Sequence, residues 1–258
     1  MLRFLETWTG VAEPHISAWR REVCGDLTAA FALSQTPTAF PTGLPDTARL
    51  VSEADAEKSL PAATAPASSS TPPQETGSRP AIPLGYRFDT TSWTDPATGR
   101  LWFKTVNSGS LGGGFTAYTV NHRAYAAWPY TCATGSSISD YFSALTYGGG
   151  PYDVDLHGPD GYLRGFQGDV RTWSDSTKGH PEAYVTDAGD GRQLTLGLAN
   201  SGGAAVTFTL PDGSTRSVAA GGSWQGTLSA DSDGRYDLTV TADTGDGFAR
   251  RFAGRLYP

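Results

Sequence analysis

Long apolar runs are absent from this sequence, and none approaches the ~18 residues needed to cross a bilayer as a helix. An excess of positive charge is absent too: the net charge is −7 at neutral pH, which argues against a nucleic-acid partner, since such binding needs a basic footprint. Only two cysteines occur, Cys24 and Cys132. They lie in segments of different character, so their pairing stays open, and two isolated thiols make no metal site. Lysine is confined to Lys58, Lys104 and Lys178, with arginine supplying the other cations. The opening MLRFLETWTGVAEP has neither the apolar run nor the small-residue cleavage site of a signal peptide. Also missing are a serine nucleophile elbow, a glycine-rich phosphate loop and a metalloprotease helix motif.

What is abundant is glycine, at 32 residues, together with 17 prolines, against only 17% charged residues. That balance indicates a turn-rich β protein, because helices favour Ala, Leu, Glu and Lys. Four stretches follow from the pattern. Residues 1–33 read as helical: Ile16, Trp19, Val23, Leu27 and Phe31 recur at spacings of three and four and form one apolar stripe, with Pro14 where a helix would begin. Within the chain that follows, this stripe has no evident partner. Residues 34–83 read as a linker, Pro/Ala/Ser-rich over Ala62–Pro73 and too poor in apolar mass to offset the entropy of ordering. From Leu84 the period changes to two, with turn signals such as Asp95-Pro96-Ala97-Thr98-Gly99, Gly158-Pro159-Asp160-Gly161 and Pro211-Asp212-Gly213 between short β-branched and aromatic runs. Such punctuation predicts small antiparallel β-sandwiches.

An internal repeat divides this β region into 84–172 and 173–258. Tyr152-Asp153-Val154-Asp155-Leu156 returns as Tyr236-Asp237-Leu238-Thr239-Val240. Gly161-Tyr162-Leu163-Arg164-Gly165-Phe166-Gln167-Gly168 returns as Gly247-Phe248-Ala249-Arg250-Arg251-Phe252-Ala253-Gly254. Upstream, Val106-Asn107-Ser108-Gly109 matches Ala199-Asn200-Ser201-Gly202. The fold class is therefore mainly β: two tandem small sandwiches preceded by a short helical segment and a tether. Two copies of a whole domain explain the long spacing better than a solenoid.

The segment Leu2-Arg3-Phe4-Leu5-Glu6 through Trp8-Thr9-Gly10-Val11, followed by Ile16-Ser17-Ala18-Trp19-Arg20-Arg21-Glu22-Val23, resembles the end of the catalytic domain of bacterial phosphocholine-preferring phospholipases C. Leu44-Pro45-Asp46-Thr47 and Arg79-Pro80 resemble the connector that follows it in that family, and the two β repeats resemble its paired C-terminal domains. The resemblance implies that catalysis belongs to an alkaline-phosphatase-like α/β domain whose nucleophile and metal ligands have no match here. It implies no catalytic residue, no metal ligand and no cofactor in this chain, the catalytic domain as partner, a phospholipid surface as a second partner, and an extracellular setting.

Several constellations have two readings. Asp153, Asp155 and His157 share one strand face and are ligand types for a divalent ion, but the second repeat has Asp237, Thr239 and Thr241 there, which favours a solvated face. Asp231-Ser232-Asp233-Gly234 resembles the start of a calcium loop without its later ligands and reads as a turn. Arg164, Arg250 and Arg251 carry guanidinium groups able to bind phosphate, although an arginine on a strand more often pairs or snorkels at the surface. Tyr118, His122, Tyr125, Trp128, Tyr130, Tyr141 and Phe142 form an aromatic-rich stretch suited to core filling, to a membrane interface or to sugar stacking. The candidate headgroup-contact residues are thus Trp128, Tyr130, Arg164 and Arg250. The competing function is a stand-alone lipid- or carbohydrate-binding module centred on Trp128; a spacer with no binding is the third.

Overall fold

The computed structural model describes residues 1–31, 43, 46–62, 64, 67–68, 84–121 and 127–257. The chain forms two units, Met1–Ala29 with Pro83–Pro258, and Ala30–Ile82. In the second unit the described residues include a helix, α3 (Ala48–Glu57); most of the Ala62–Pro73 run lies outside the described residues, as do Phe40, Leu44, Arg79 and Pro80.

The N-terminal segment is helical, but not as one continuous stripe. Helix α1 (Leu2–Thr9) stops at Gly10, whose left-handed backbone, φ 74°, lets its N–H close on Glu6. Helix α2 (Ala18–Val23) starts after Ser17, whose hydroxyl accepts from the Arg20 N–H, and ends at the extended Cys24. The predicted stripe therefore breaks after Val23: Leu27 sits at φ 69° and cannot continue a right-handed helix. Nor is the segment without a partner. The Trp19 indole donates to Thr131 at 2.8 Å, and the Thr134 N–H donates to Glu22 at 3.0 Å, both in the first β repeat.

The first repeat contains β1 (Phe88–Asp95), β2 (Arg100–Asn107), β3 (Gly113–Thr119), β4 (Trp128–Cys132), β5 (Ser137–Phe142), the short helix α4 (Ala144–Gly148), β6 (Pro151–His157) and β7 (Leu163–Asp169). The second contains β8 (Pro181–Asp187), β9 (Gln193–Asn200), β10 (Val206–Thr209), β11 (Thr215–Val218), β12 (Ser223–Ser229), β13 (Arg235–Ala242) and β14 (Ala249–Arg255). The sheet orders are β1-β2-β5, β12-β9-β8, and a continuous sheet of eight strands, β11-β10-β13-β14-β7-β6-β3-β4. Strand for strand the repeats agree: β4-β3-β6-β7 corresponds to β11-β10-β13-β14. Each repeat packs its three-stranded sheet over its half of the eight-stranded one. Leu101, Phe103, Val154 and Phe166 lie in the first core, and Leu194, Leu196, Phe208 and Phe252 in the second.

Period-two alternation explains which faces are buried. In β6, Tyr152, Val154 and Leu156 point inward while Asp153 and Asp155 are only partly covered. The recurring Asn-Ser-Gly marks a crosslink between sheets. Buried Asn107 donates to the carbonyls of Leu111 and Cys132, at 2.9 and 3.2 Å, and accepts from Gly109. Asn200 does the same for Ala204, Val218 and Gly202. Each amide thus ties the end of a strand in the small sheet to the outer strand of the large one, satisfying backbone carbonyls that are shut away from water.

Candidate functional site

The join between the repeats is built from β7 and β14, which pair antiparallel with Ala249 opposite Gln167, Arg250 opposite Phe166, Arg251 opposite Gly165 and Phe252 opposite Arg164. Both repeated arginines point into the protein. Arg164 is 2% exposed and Arg250 is 0% exposed, so the expected surface position for headgroup contact is corrected at both residues. The cause is the Arg-x-Phe spacing: residues two apart on a strand share a face, and that face is the core's.

Each guanidinium reaches across the join to the other repeat. Arg164 lies over the rings of Tyr162, 4.0 Å from the centroid, and Phe252, and its Nη2 donates to the Tyr236 hydroxyl at 3.1 Å. Arg250 lies over Phe248, 4.3 Å away, and Phe166, and donates to the Tyr152 hydroxyl at 3.2 Å. The two Nη1 groups cap equivalent carbonyls, Leu163 and Ala253 for Arg164, Gln167 and Ala249 for Arg250. The buried ends then differ. Glu182 takes Arg250 through two hydrogen bonds, 2.7 and 3.0 Å. Desolvation opposes charge on Arg250, but the Glu182 carboxylate and Tyr152 outweigh it and hold its pKa above the usual value. The equivalent residue in the first repeat is Asp89, one methylene shorter: Phe88 pairs with Asn107 as Pro181 pairs with Asn200. Arg164 Nε has no hydrogen-bond partner among the described residues, Asp89 is pushed upward in pKa by burial, and both border a cavity of about 40 Å³.

The other two candidates are half-buried. Trp128 meets Phe142 and Tyr147 edge-on or tilted, with centroids 6.2 and 6.4 Å away. Tyr130 sets its ring against Phe103 and donates its hydroxyl to Asp140 at 2.8 Å; burial, reinforced by Asp140, raises its pKa. His122 and Tyr125 lie outside the described residues. Asp153 accepts from Asn121, and His157 stands edge-on to Tyr118 at 5.4 Å. Among the described residues no three His, Cys, Asp or Glu side chains come together as a metal site. Asp231 closes its turn by accepting from the N–H groups of Asp233 and Arg235. Cys24 is exposed, Cys132 is buried, and both are free thiols.

Among the described residues of the unit that holds the repeats, two surfaces stand out. One is the apolar side of the N-terminal segment, where Leu2, Leu5, Val11, Trp8 (75% exposed) and Trp19 (58% exposed) face outward. Its opposite side is fixed internally, with Arg21 making two hydrogen bonds to Glu6 at 2.9 and 2.8 Å. The other is a row of aromatic residues on the outer face of β1-β2-β5, Trp93, Trp102 and Tyr141, of which the sequence reading singled out Tyr141 and missed both tryptophans. The signal was present, since Asp95 and Arg100 flank the predicted turn and a hairpin there sets Trp93 opposite Trp102; Tyr141 joins them from β5, distant in sequence.

The model of the family described as "Bacterial phospholipase C, C-terminal domain" matches residues 80–169 and again 179–255. The chain belongs to this family. Its two matched segments are the two β repeats, so the shared features of β7 and β14 are features of a phospholipase C C-terminal domain. Similarity extends beyond them. The chain is 32% identical to the non-hemolytic phospholipase C of Pseudomonas aeruginosa over 265 residues, covering 99% of this chain and 38% of that protein. It is 32% identical to the non-hemolytic phospholipase C of Burkholderia pseudomallei, covering 95% of this chain and 36% of the relative. The hemolytic phospholipase C of P. aeruginosa is 30% identical over 99% of this chain and 40% of its own length. The chain thus spans two-fifths or less of each of these relatives. Among the described residues no helix is long and apolar enough to cross a membrane.

Proposed function

We propose that this chain is the accessory C-terminal part of an extracellular bacterial phospholipase C, with hydrolysis of phosphatidylcholine-type lipids performed by a catalytic domain it supports. The observation that carries this reading is the exposed apolar side of α1 and α2: the two helices are tied to each other by the Arg21–Glu6 pair and to the first repeat by Trp19 and Glu22. Contiguous exposed apolar surface of this kind marks a protein interface, and it occurs in the segment that resembles the end of the catalytic domain. Phosphodiester hydrolysis by metal-assisted chemistry needs ligands and a nucleophile, which are assigned to the catalytic domain.

Three measurements test this. The 258-residue chain alone is expected to give no turnover of a soluble phosphocholine ester above buffer. A chimera in which the chain replaces the matched region of the P. aeruginosa non-hemolytic enzyme is expected to hydrolyse that ester. Leu5→Asp with Trp8→Asp in the chimera should lower the yield of folded enzyme or its melting temperature. A chimera that folds and works equally well with both aspartates would remove the interface, and turnover by the chain alone would remove the accessory role.

A further inference from the structure

The aromatic row on the outer face of the first repeat is built differently from its counterpart in the second. Trp93 of β1 stands directly opposite Trp102 of β2, and Trp102 directly opposite Tyr141 of β5. The same row in the second repeat is Thr186, Thr195 and Thr227, also directly paired. The fold is therefore satisfied by three threonines at these positions, and three aromatic side chains there answer to something else. Trp93 is 40% exposed and Tyr141 is 38% exposed. Single surface aromatics need no explanation, but a continuous row does.

Two features extend the row. The guanidinium of Arg100, next along β2, lies 3.9 Å from the Tyr141 ring centroid. Lys104, on the other side of Trp102 along the same strand face, is exposed between Thr91 and Ser139. Beyond Arg100, Leu145 of α4 rests on Gly99 in the β1–β2 turn and is 48% exposed, with Tyr147 exposed beside it. The second repeat has a plain turn where the first has α4. All of this added apolar surface belongs to the first repeat, and the row itself carries two cations.

We propose that this face, Trp93, Trp102 and Tyr141 with Arg100 and Lys104, is a phospholipid-interface surface: the aromatic rings enter the headgroup layer and the cations meet lipid phosphates. Ring geometry favours a bilayer over a polysaccharide. The Trp93 and Trp102 rings are 4° from parallel with centroids 5.7 Å apart, and Tyr141 lies 4.8 Å from Trp102 on its other side. Trp102 thus has a ring on either side, Trp93 stacked and Tyr141 tilted by 52°, and Arg100 covers Tyr141. Sugars stack on open ring faces, whereas the headgroup layer receives ring edges and their N–H and O–H groups. The nearby carboxylate of Asp95 is occupied within its turn by Ala97 and Thr98, and Asp140 by Tyr130. The two cations remain available to anionic oxygen, which phosphate supplies.

This surface deepens the accessory reading by naming where lipid would be met. The two fail separately: turnover of a soluble ester by the chimera involves no bilayer, and vesicle binding by the chain involves no catalysis. The test is co-flotation of the 258-residue chain with unilamellar vesicles of phosphatidylcholine containing phosphatidylglycerol. Binding is expected, and Trp93→Thr/Trp102→Thr/Tyr141→Thr, which imports the second repeat's residues, should weaken it by about tenfold or more with an unchanged melting temperature. Lys104→Ala should weaken it less and reduce its salt dependence. If the triple variant fails to fold, Trp93→Ser, at the exposed end of the row, replaces it. Undiminished binding by a folded variant would overturn the proposal. So would absence of vesicle binding by the native chain, including the case in which it binds an insoluble polysaccharide instead.

Discussion

Arg164 and Arg250 occupy equivalent places in the two repeats, yet Glu182 completes one site and Asp89 falls a methylene short of completing the other. Burying a guanidinium costs several kcal/mol unless its hydrogen bonds are met. Glu182→Ala is therefore expected to destabilise the protein by roughly 3–5 kcal/mol in urea unfolding, because Arg250 would stay buried without its carboxylate. Asp89→Glu should act oppositely, raising stability by about 1 kcal/mol if the longer side chain reaches Arg164 Nε; an unchanged urea midpoint would show that it does not. A third residue-scale expectation concerns pH. Hydrogen bonds from Arg21, then the Glu13 N–H, lower the Glu6 pKa from 4.5 to about 2. Its folded value lies below its unfolded one, so its contribution is fully present above about pH 4.5 and is lost as the pH falls toward 2. Amide protection in residues 1–24, measured as exchange relative to the intrinsic rate at each pH, should fall across that window, and Glu6→Gln should flatten the dependence.

At the scale of elements, the motif glycines and tyrosines form pairs. Tyr152 stands opposite Gly168 and Tyr236 opposite Gly254, and a Cβ on either glycine would come within 2.6 or 2.7 Å of the tyrosine hydroxyl. The rings that serve Arg250 and Arg164 thus lie across the glycines, and Gly254→Ala should displace Tyr236 at a cost of roughly 1–3 kcal/mol, measurable by thermal denaturation. Strands were legible in the sequence because period two and turn residues recur together, and the repeat itself marked β6, β7, β13 and β14 as partners. The inward arginines were legible too: Arg164 and Phe166 are two residues apart and must share a face. A reading that takes charge as a sign of exposure inverts them. Hidden from sequence was anything that needed a distant strand: the Glu182–Arg250 pair, the placement of Tyr141 beside Trp102, and the contact of Trp19 with Thr131. The predicted helical stripe over Ile16–Phe31 failed for a local reason, since Cys24 is extended and Leu27 left-handed.

For the whole molecule, the eight-stranded sheet makes the two repeats one structural unit despite their separate cores. The β7–β14 pairing satisfies strand edges that would otherwise be open, and each repeat supplies rings and hydroxyls to the other's arginine. Residues 84–257 should therefore unfold in one transition, with calorimetric and van't Hoff enthalpies in agreement; two resolved transitions would show the repeats to be thermodynamically independent. The register of this seam carries a consequence for symmetry. Gly165 and Arg251 hold the same position in their repeats and face each other, and Arg164–Phe252 and Phe166–Arg250 are the same pair read in opposite directions. Pairing of that kind is self-complementary, the defining property of an isologous two-fold interface. The tandem chain has the geometry of a homodimer of one domain whose subunits are covalently joined, an arrangement that leaves each copy free to differ: one carries the glutamate at the join, the other the aromatic row on its outer face.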